Sequence, residues 1–240
     1  MATLAVAIMH APWSAQRRAW VRDIVRACAP LPVSVVADQR RAGVWPTSRA
    51  AWQTLLHQDI SHACVLQDDA LPVPGFSQYL HELVLAQPKA IVALWHNKWF
   101  GQVVQDQGLA WFRSTSCFNA VGLVMPRPWI KDLLAWNLTN VRRDWQRDDN
   151  RIQCWAEATN RPYVYCVPSL VAHLGHASSV LHHRDKDDGT PALRVGPRGP
   201  VDWLAGVDNP PLDPAYTGSF AARVWPRLRL NTSLVLIGPR

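Results

Sequence analysis

Two pairs of adjacent carboxylates, Asp68–Asp69 and Asp148–Asp149, and a histidine group, His173, His176, His182 and His183, are the residues of this chain best suited to chemistry. Neighbouring carboxylates repel, so each pair needs a cation or a tight hydrogen-bond network to be stable. For the first pair the natural partner is a hard divalent metal, Mg²⁺ or Mn²⁺, although an acidic turn closing a strand would also produce it. The histidine spacing matches no standard zinc motif and no cysteine cluster accompanies it. One histidine donating to the same metal as Asp68–Asp69 fits better than a zinc site.

The elements that must position these groups follow from the apolar pattern. Ala63 to Leu66 is a short apolar run cut off by Gln67, Asp68 and Asp69 and then by two prolines, which reads as a buried strand carrying acids at its C-terminal end. In open α/β sheets that edge is where ligands bind. Leu4 to Ile8 reads as a first strand. Ser14 then caps a helix to about Ala29, with Trp20, Ile24 and Cys28 on one face and Arg17, Arg18, Arg22 and Arg26 toward solvent. Val33 to Ala37 forms a second strand ending at Asp38. Strand, helix and strand with an acid at the tip open a nucleotide-binding α/β unit.

Thr47 is expected to cap a helix to about Gln58, with Arg49 in its first turn, where a bound anion would explain it. Phe76 to about Ala86 reads as a helix and Ala90 to Leu94 as a strand. Residues 96–116 keep no period and read as a substrate-facing excursion or a hairpin. Asn119 to Met125 is another strand, Trp129 to Trp136 a helix, Asn150 to Thr159 a helix starting after the second Asp pair, and Tyr163 to Val167 a final strand. Capping accounts for one of Asp148 and Asp149, leaving the other for chemistry. Residues 1–184 are expected to form one domain and 185–240 a C-terminal extension, linker or lid packing on it.

The composition restricts the partners. The formal charge is +7 with a pI near 9.5, and arginine far outnumbers lysine. That favours phosphate-bearing partners. With 48% hydrophobic residues the chain can build a substantial core, so global disorder is excluded. Five cysteines without a CxxC pair fit buried thiols in a reducing compartment. No stretch reads as a transmembrane span or a secretory signal, so a cytoplasmic location is expected, the host cytoplasm if the protein is virus-encoded.

In order, GVWPTSRAAWQTLL, HACVLQDDALPVPGF, NAVGLVMPRPWI, RDDNRIQCWAEA and VPSLVAHLGHASS resemble a small glycosyltransferase of the GT-A fold, over roughly residues 4 to 180. The resemblance implies an α/β domain with a mixed, mostly parallel sheet flanked by helices, and a nucleotide-sugar donor, by family default a UDP-sugar. It places Asp69 on a Mn²⁺ or Mg²⁺ ion, His173 as the distant metal ligand, and Asp68 beside them in the turn. Gln67 stands where the family commonly has an acid reaching the ribose. Arg49 would meet the diphosphate and Asp38 the uridine or its ribose. Asp149, with Asp148 as the alternative, would be the base of an inverting transfer.

Three functions remain open on these grounds. The favoured one is transfer of a sugar to a hydroxymethylated pyrimidine in DNA, as some virus-encoded glycosyltransferases perform. It draws on the loop arginines Arg40, Arg41, Arg142, Arg143, Arg147, Arg194 and Arg198 and on Trp99 or Trp145 to support the strand around an extruded base. Trp99, Trp145, Arg147, His176 and Ser178 are the acceptor-side candidates. The second is a saccharide or lipopolysaccharide glycosyltransferase at the cytoplasmic membrane face. The third is a non-catalytic nucleotide- or nucleic-acid-binding domain.

Overall fold

The computed structural model describes residues 2–96, 99–115, 120–174, 196–197, 199–215 and 218–228. Seven strands form one sheet: β1 (Leu4–His10), β2 (Val33–Ala37), β3 (His62–Gln67), β5 (Ile91–Ala93), β6 (Trp111–Phe112), β7 (Gly122–Pro126) and β8 (Tyr163–Cys166), in the order β2-β1-β3-β7-β5-β8-β6. The strands β4 (Ala70–Pro72) and β9 (Val171–His173) make a separate two-stranded ribbon. In the main sheet β2, β1, β3, β5 and β8 run one way, and β7 and β6 run against them. The fold is α/β with a mixed, mostly parallel sheet.

Alternation along β1 explains the two layers. Leu4, Val6 and Ile8 enter a core shared with the helices α1 (Ala15–Ala27) and α3 (Phe76–Ala86), while Ala5, Ala7 and Met9 enter a second core under α2 (Val44–Leu56), α5 (Pro128–Asn140) and α6 (Asp148–Ala158). A sheet covered on both faces is apolar along its whole strands, and all seven residues of β1 are buried. The chain passes from β1 out to β2 and returns through α2 to β3 on the other side of β1. The carboxyl edge of β1 is therefore a topological switch point, the usual place for a ligand crevice.

Several elements differ from the pattern read in the sequence. α2 begins at Val44, three residues before Thr47, whose hydroxyl donates inside the helix to the Gly43 carbonyl at 2.7 Å. Pro46 disguises this start, because a proline in a first turn lacks only an N–H that has no helical partner anyway. Arg49 consequently lies in the second turn. Residues 96–116 contain the helix α4 (Trp99–Asp106) and the short strand β6 instead of an irregular excursion. α6 starts at Asp148, so both carboxylates are inside the helix. The ribbon of β4 and β9 was not anticipated, since each strand has only three residues and β4 ends in a proline.

Described residues beyond 195 pack on this domain. Trp111 Nε1 donates to the Trp203 carbonyl at 2.8 Å, and the helix α7 (Phe220–Leu228) lies against α6, with Glu157 accepting from Ser219 Oγ at 2.6 Å and Ala221 N at 2.9 Å.

Candidate active site at the sheet edge

Asp68 and Asp69 follow β3 at the switch point and are only 2% and 3% exposed. Asp68 Oδ2 accepts from Ala11 N at 2.7 Å and lies 3.0 Å from His10 Nδ1, so the ends of β1 and β3 are tied together through one carboxylate. The cation on this turn is Arg17. Its Nη1 pairs with Asp68 Oδ1, and its Nη2 donates to Asp69 Oδ2 at 2.9 Å. Arg17 was expected to face solvent and is instead 6% exposed, whereas Arg18, Arg22 and Arg26 are exposed as expected. Ser14 caps α1 by accepting from Arg17 N at 3.3 Å, which puts Arg17 in the first turn. The signal was available in the spacing: Arg17 precedes Val21, Ile24 and Cys28 by four, seven and eleven positions, on the stripe that faces the sheet.

The ribbon brings the other predicted metal ligand to the same place. β9 pairs with β4 so that His173 sits opposite Ala70, and Leu174 N donates to the Asp69 carbonyl at 2.8 Å. His173 Nε2 is then 3.6 Å from Asp69 Oδ2, with its ring held edge-on by Trp95 at 5.1 Å between centroids. Burial raises the Asp69 pKa, but hydrogen bonding with His173 and the charges of Arg17 and His173 outweigh it, and the carboxyl titrates below its ordinary value. Asp69 Oδ1 is buried and has no hydrogen-bond partner among the described residues. Among the described residues no group of three or more His, Cys, Asp or Glu is placed to hold a metal ion alone.

Asp38 sits one strand over. Its backbone N–H donates to the His10 carbonyl at 2.8 Å, and its carboxylate accepts from Ala42 N at 2.7 Å and Gly43 N at 2.9 Å. Both oxygens thus close the β2–α2 loop. That loop reaches the second acidic pair at its far end. Gly43 has φ of +109°, and a Cβ there would lie 2.4 Å from Gln146 Oε1, so only glycine allows the approach.

Asp148 and Asp149 open α6 beside the start of α2. Asp148 is 4% exposed, its Oδ1 accepts from Asp149 N at 2.9 Å, and Asp149 Oδ1 accepts from Asn150 N at 2.6 Å. Burial, reinforced by the negative charge of Asp149, pushes the Asp148 carboxyl up to about 7, against partial relief from backbone donors and the Ser48 hydroxyl. Arg151, one turn on, is buried. Its Nε donates to the Trp145 carbonyl at 2.8 Å and its Nη2 to the Arg142 carbonyl at 2.6 Å, and the guanidinium lies 4.6 Å from the Trp45 ring centre. It fixes the loop 142–147 against α2.

The remaining candidates divide clearly. Trp99 is 72% exposed at the start of α4, and Arg49 and Arg147 are exposed. Trp145 is half-buried and packs in a small cluster with Val141, Cys154 and Phe220, which argues against a free platform. Gln67 is half-buried and its backbone N–H donates to the Val121 carbonyl at 2.9 Å. His176, Ser178, Arg194 and Arg198 lie outside the described residues, as do His182 and His183. The structure thus joins Asp68, Asp69 and His173 in one cluster, and connects it through the Asp38 loop to a second cluster at Asp148 and Asp149. Sequence reasoning missed His10 and Arg17. It also missed Trp13, exposed between the β1 and β2 loops with Arg41 stacked 5.4 Å from its ring centre.

No family model matches the chain, and no curated protein matches it. Among solved structures it is similar to the one described as a glycosyltransferase involved in the glycosylation of the major capsid of PBCV-1, with a TM-score of 0.41 and 10% identity, over 68% of this chain and 81% of that one.

Proposed function

We propose that the chain is an inverting glycosyltransferase that takes a sugar from a nucleotide sugar, by default a UDP-sugar, to a hydroxymethylated pyrimidine in DNA. One observation carries the reading: the switch-point edge gathers His10, Asp38, Asp68 and Asp69, and a dedicated ribbon delivers His173 to within 3.6 Å of Asp69. The ribbon buries Ala70 and Val171 in the core, and the same register sets His173 beside the Asp69 turn.

In this reading the acceptor hydroxyl oxygen attacks the anomeric carbon, the bond from that carbon to the diphosphate breaks, and the hydroxyl proton passes to a carboxylate of the second pair. Asp149 is half-exposed at a helix N-terminus and suits an accessible base, while Asp148, poised near neutrality, is the alternative. Such a base contributes about 10²–10⁴ in rate. Asp69 and His173 would hold Mn²⁺ or Mg²⁺, and the buried Asp69 Oδ1, without a hydrogen-bond partner among the described residues, fits a carboxylate with a ligand position to spare. The ion would supply charge neutralisation for the departing diphosphate. Exposed Arg40, Arg41, Arg142, Arg143 and Arg147 with exposed Trp99 support an extended polyanionic acceptor. No helix among the described residues is long and apolar enough to cross a membrane, and we place the activity in the cytoplasm.

The test is incubation with labelled nucleotide sugars, Mn²⁺ and hydroxymethylated duplex DNA, followed by digestion to nucleosides. A labelled nucleoside that disappears with Asp69→Ala is the expected result, and its anomeric configuration reports inversion. Transfer to a saccharide but never to DNA would remove the nucleic-acid acceptor. Absence of both transfer and donor hydrolysis would leave a binding domain.

A further inference from the structure

Arg17 and a divalent cation have claims on the same carboxylate. The guanidinium is 6% exposed, sits between Asp68 and Asp69 with one nitrogen on each, and its Nη2 holds the Asp69 oxygen that His173 Nε2 approaches. Asp68 has no capacity left on Oδ2, which already meets Ala11 N and His10 Nδ1. Arg17 Nη2 occupies the Asp69 oxygen that a cation shared with His173 would use. A divalent ion entering there has to compete with the guanidinium for that oxygen and lies within a few ångströms of a like charge. A nucleoside diphosphate brings oxygen ligands and negative charge of its own and so offsets both costs.

We infer that Arg17 couples cation uptake at Asp69 to the nucleotide: in the free protein the guanidinium holds the turn and a divalent ion binds weakly, and a diphosphate strengthens that binding. The inference rests on the nucleotide-sugar reading above for the identity of the anion. It assigns Arg17 as a positioning residue that acts through Asp69. Coupling of this kind is reciprocal, so the ion tightens the diphosphate by the same factor.

Equilibrium dialysis of Mn²⁺ at fixed free concentration, with and without uridine diphosphate, reads this directly and needs no turnover. In the wild type, uridine diphosphate is expected to tighten Mn²⁺ binding by about tenfold or more. In Arg17→Gln the protein alone binds Mn²⁺ about tenfold more tightly than the wild type, and the nucleotide adds correspondingly less. Asp69→Asn loses the ion in both conditions. Should Arg17→Gln fail to fold by circular dichroism, Arg17→Lys, which keeps the charge but has one nitrogen and cannot hold both carboxylates as the guanidinium does, takes its place and is likewise expected to bind Mn²⁺ alone more tightly than the wild type. Equal Mn²⁺ affinity in the two wild-type conditions, or a folded Arg17→Gln that binds like the wild type, overturns the inference. Donor hydrolysis in a wild type whose Mn²⁺ affinity the nucleotide leaves unchanged overturns the inference, yet leaves glycosyl transfer standing. Nucleotide-dependent uptake in a protein that hydrolyses no nucleotide sugar does the reverse.

Discussion

The same dipeptide is stabilised in two different ways at the two ends of the Asp38 loop. Asp68–Asp69 lies beyond a strand, where there is no helix dipole to draw on, and a guanidinium from α1 is brought in to meet both carboxylates. Asp148–Asp149 opens a helix, so backbone N–H groups of its first turn donate to the carboxylates, and burial leaves Asp148 holding a proton near neutrality. The pKa directions are accordingly opposite: Asp69 below its ordinary value, Asp148 well above. One pair stays anionic and suits a cation or its phosphate complex. The other can exchange a proton, which is what an acid or base requires.

The contrast makes Arg17 the largest single contribution. Arg17→Met leaves two buried carboxylates without their counter-charge, and removing one partner of a buried pair costs about 3–5 kcal/mol. Urea unfolding at pH 7 measures it, and a loss near zero would mean the turn does not depend on the guanidinium. Acid sharpens the assignment. Because the Asp69 pKa is lowered on folding, its contribution is complete above the ordinary carboxyl value of 3.8 and is lost as pH falls through the folded value. Unfolding curves of Asp69→Asn should therefore lack the part of the acid loss that the wild type shows below that point.

Next in size is Gly43→Ala. The alanine meets Gln146 Oε1 and adopts a backbone region that is essentially glycine's alone, at a cost of about 1–3 kcal/mol. The damage should be local. The loop between Asp38 and α6 loosens, so amide exchange accelerates at Ala42 and Gly43 while the Asp68 turn keeps its protection. Faster exchange at both clusters would show that the two are one rigid unit.

The strands and their order of appearance were legible because buried strands announce themselves as apolar runs: β1, β3 and β7 were each read within a few residues, and the helix from Phe76 to about Ala86 was read at its start and near its end. The acidic pairs and His173 were legible as residue types. What was hidden was partnership. Arg17 reads as a surface arginine when every arginine of α1 is assigned by charge, and only its place on the Val21–Ile24–Cys28 stripe shows that it points inward. Asp38 reads as a ligand-binding acid at a strand tip, but its two oxygens are used on Ala42 and Gly43, a short-range turn that no hydrophobic pattern reports. Pairing of β4 with β9 spans about a hundred residues, and three-residue strands carry no period to betray it.

A last prediction separates a proton from a guanidinium as the neutralising agent. With its folded pKa near 7 and an ordinary unfolded value of 3.8, Asp148 carries in the native state a proton that the unfolded chain has already lost across that window. Stability contributed by this group therefore falls as pH rises from about 4 to about 7 and is level above. Asn at 148 keeps the oxygen that accepts from Asp149 N and cannot ionise, so Asp148→Asn should melt level with the wild type at pH 4 and above it at pH 8, by about 2–4 °C for each kcal/mol. Asp149→Asn, which removes the neighbouring charge but not the burial, should recover only part of that lead. A constant offset between Asp148→Asn and the wild type across the range would mean that Asp148 stays ionised in the native state. The second pair would then need a cation as the first does, and Arg151, whose donors go to the 142–147 loop, is the group whose charge already reaches Asp148.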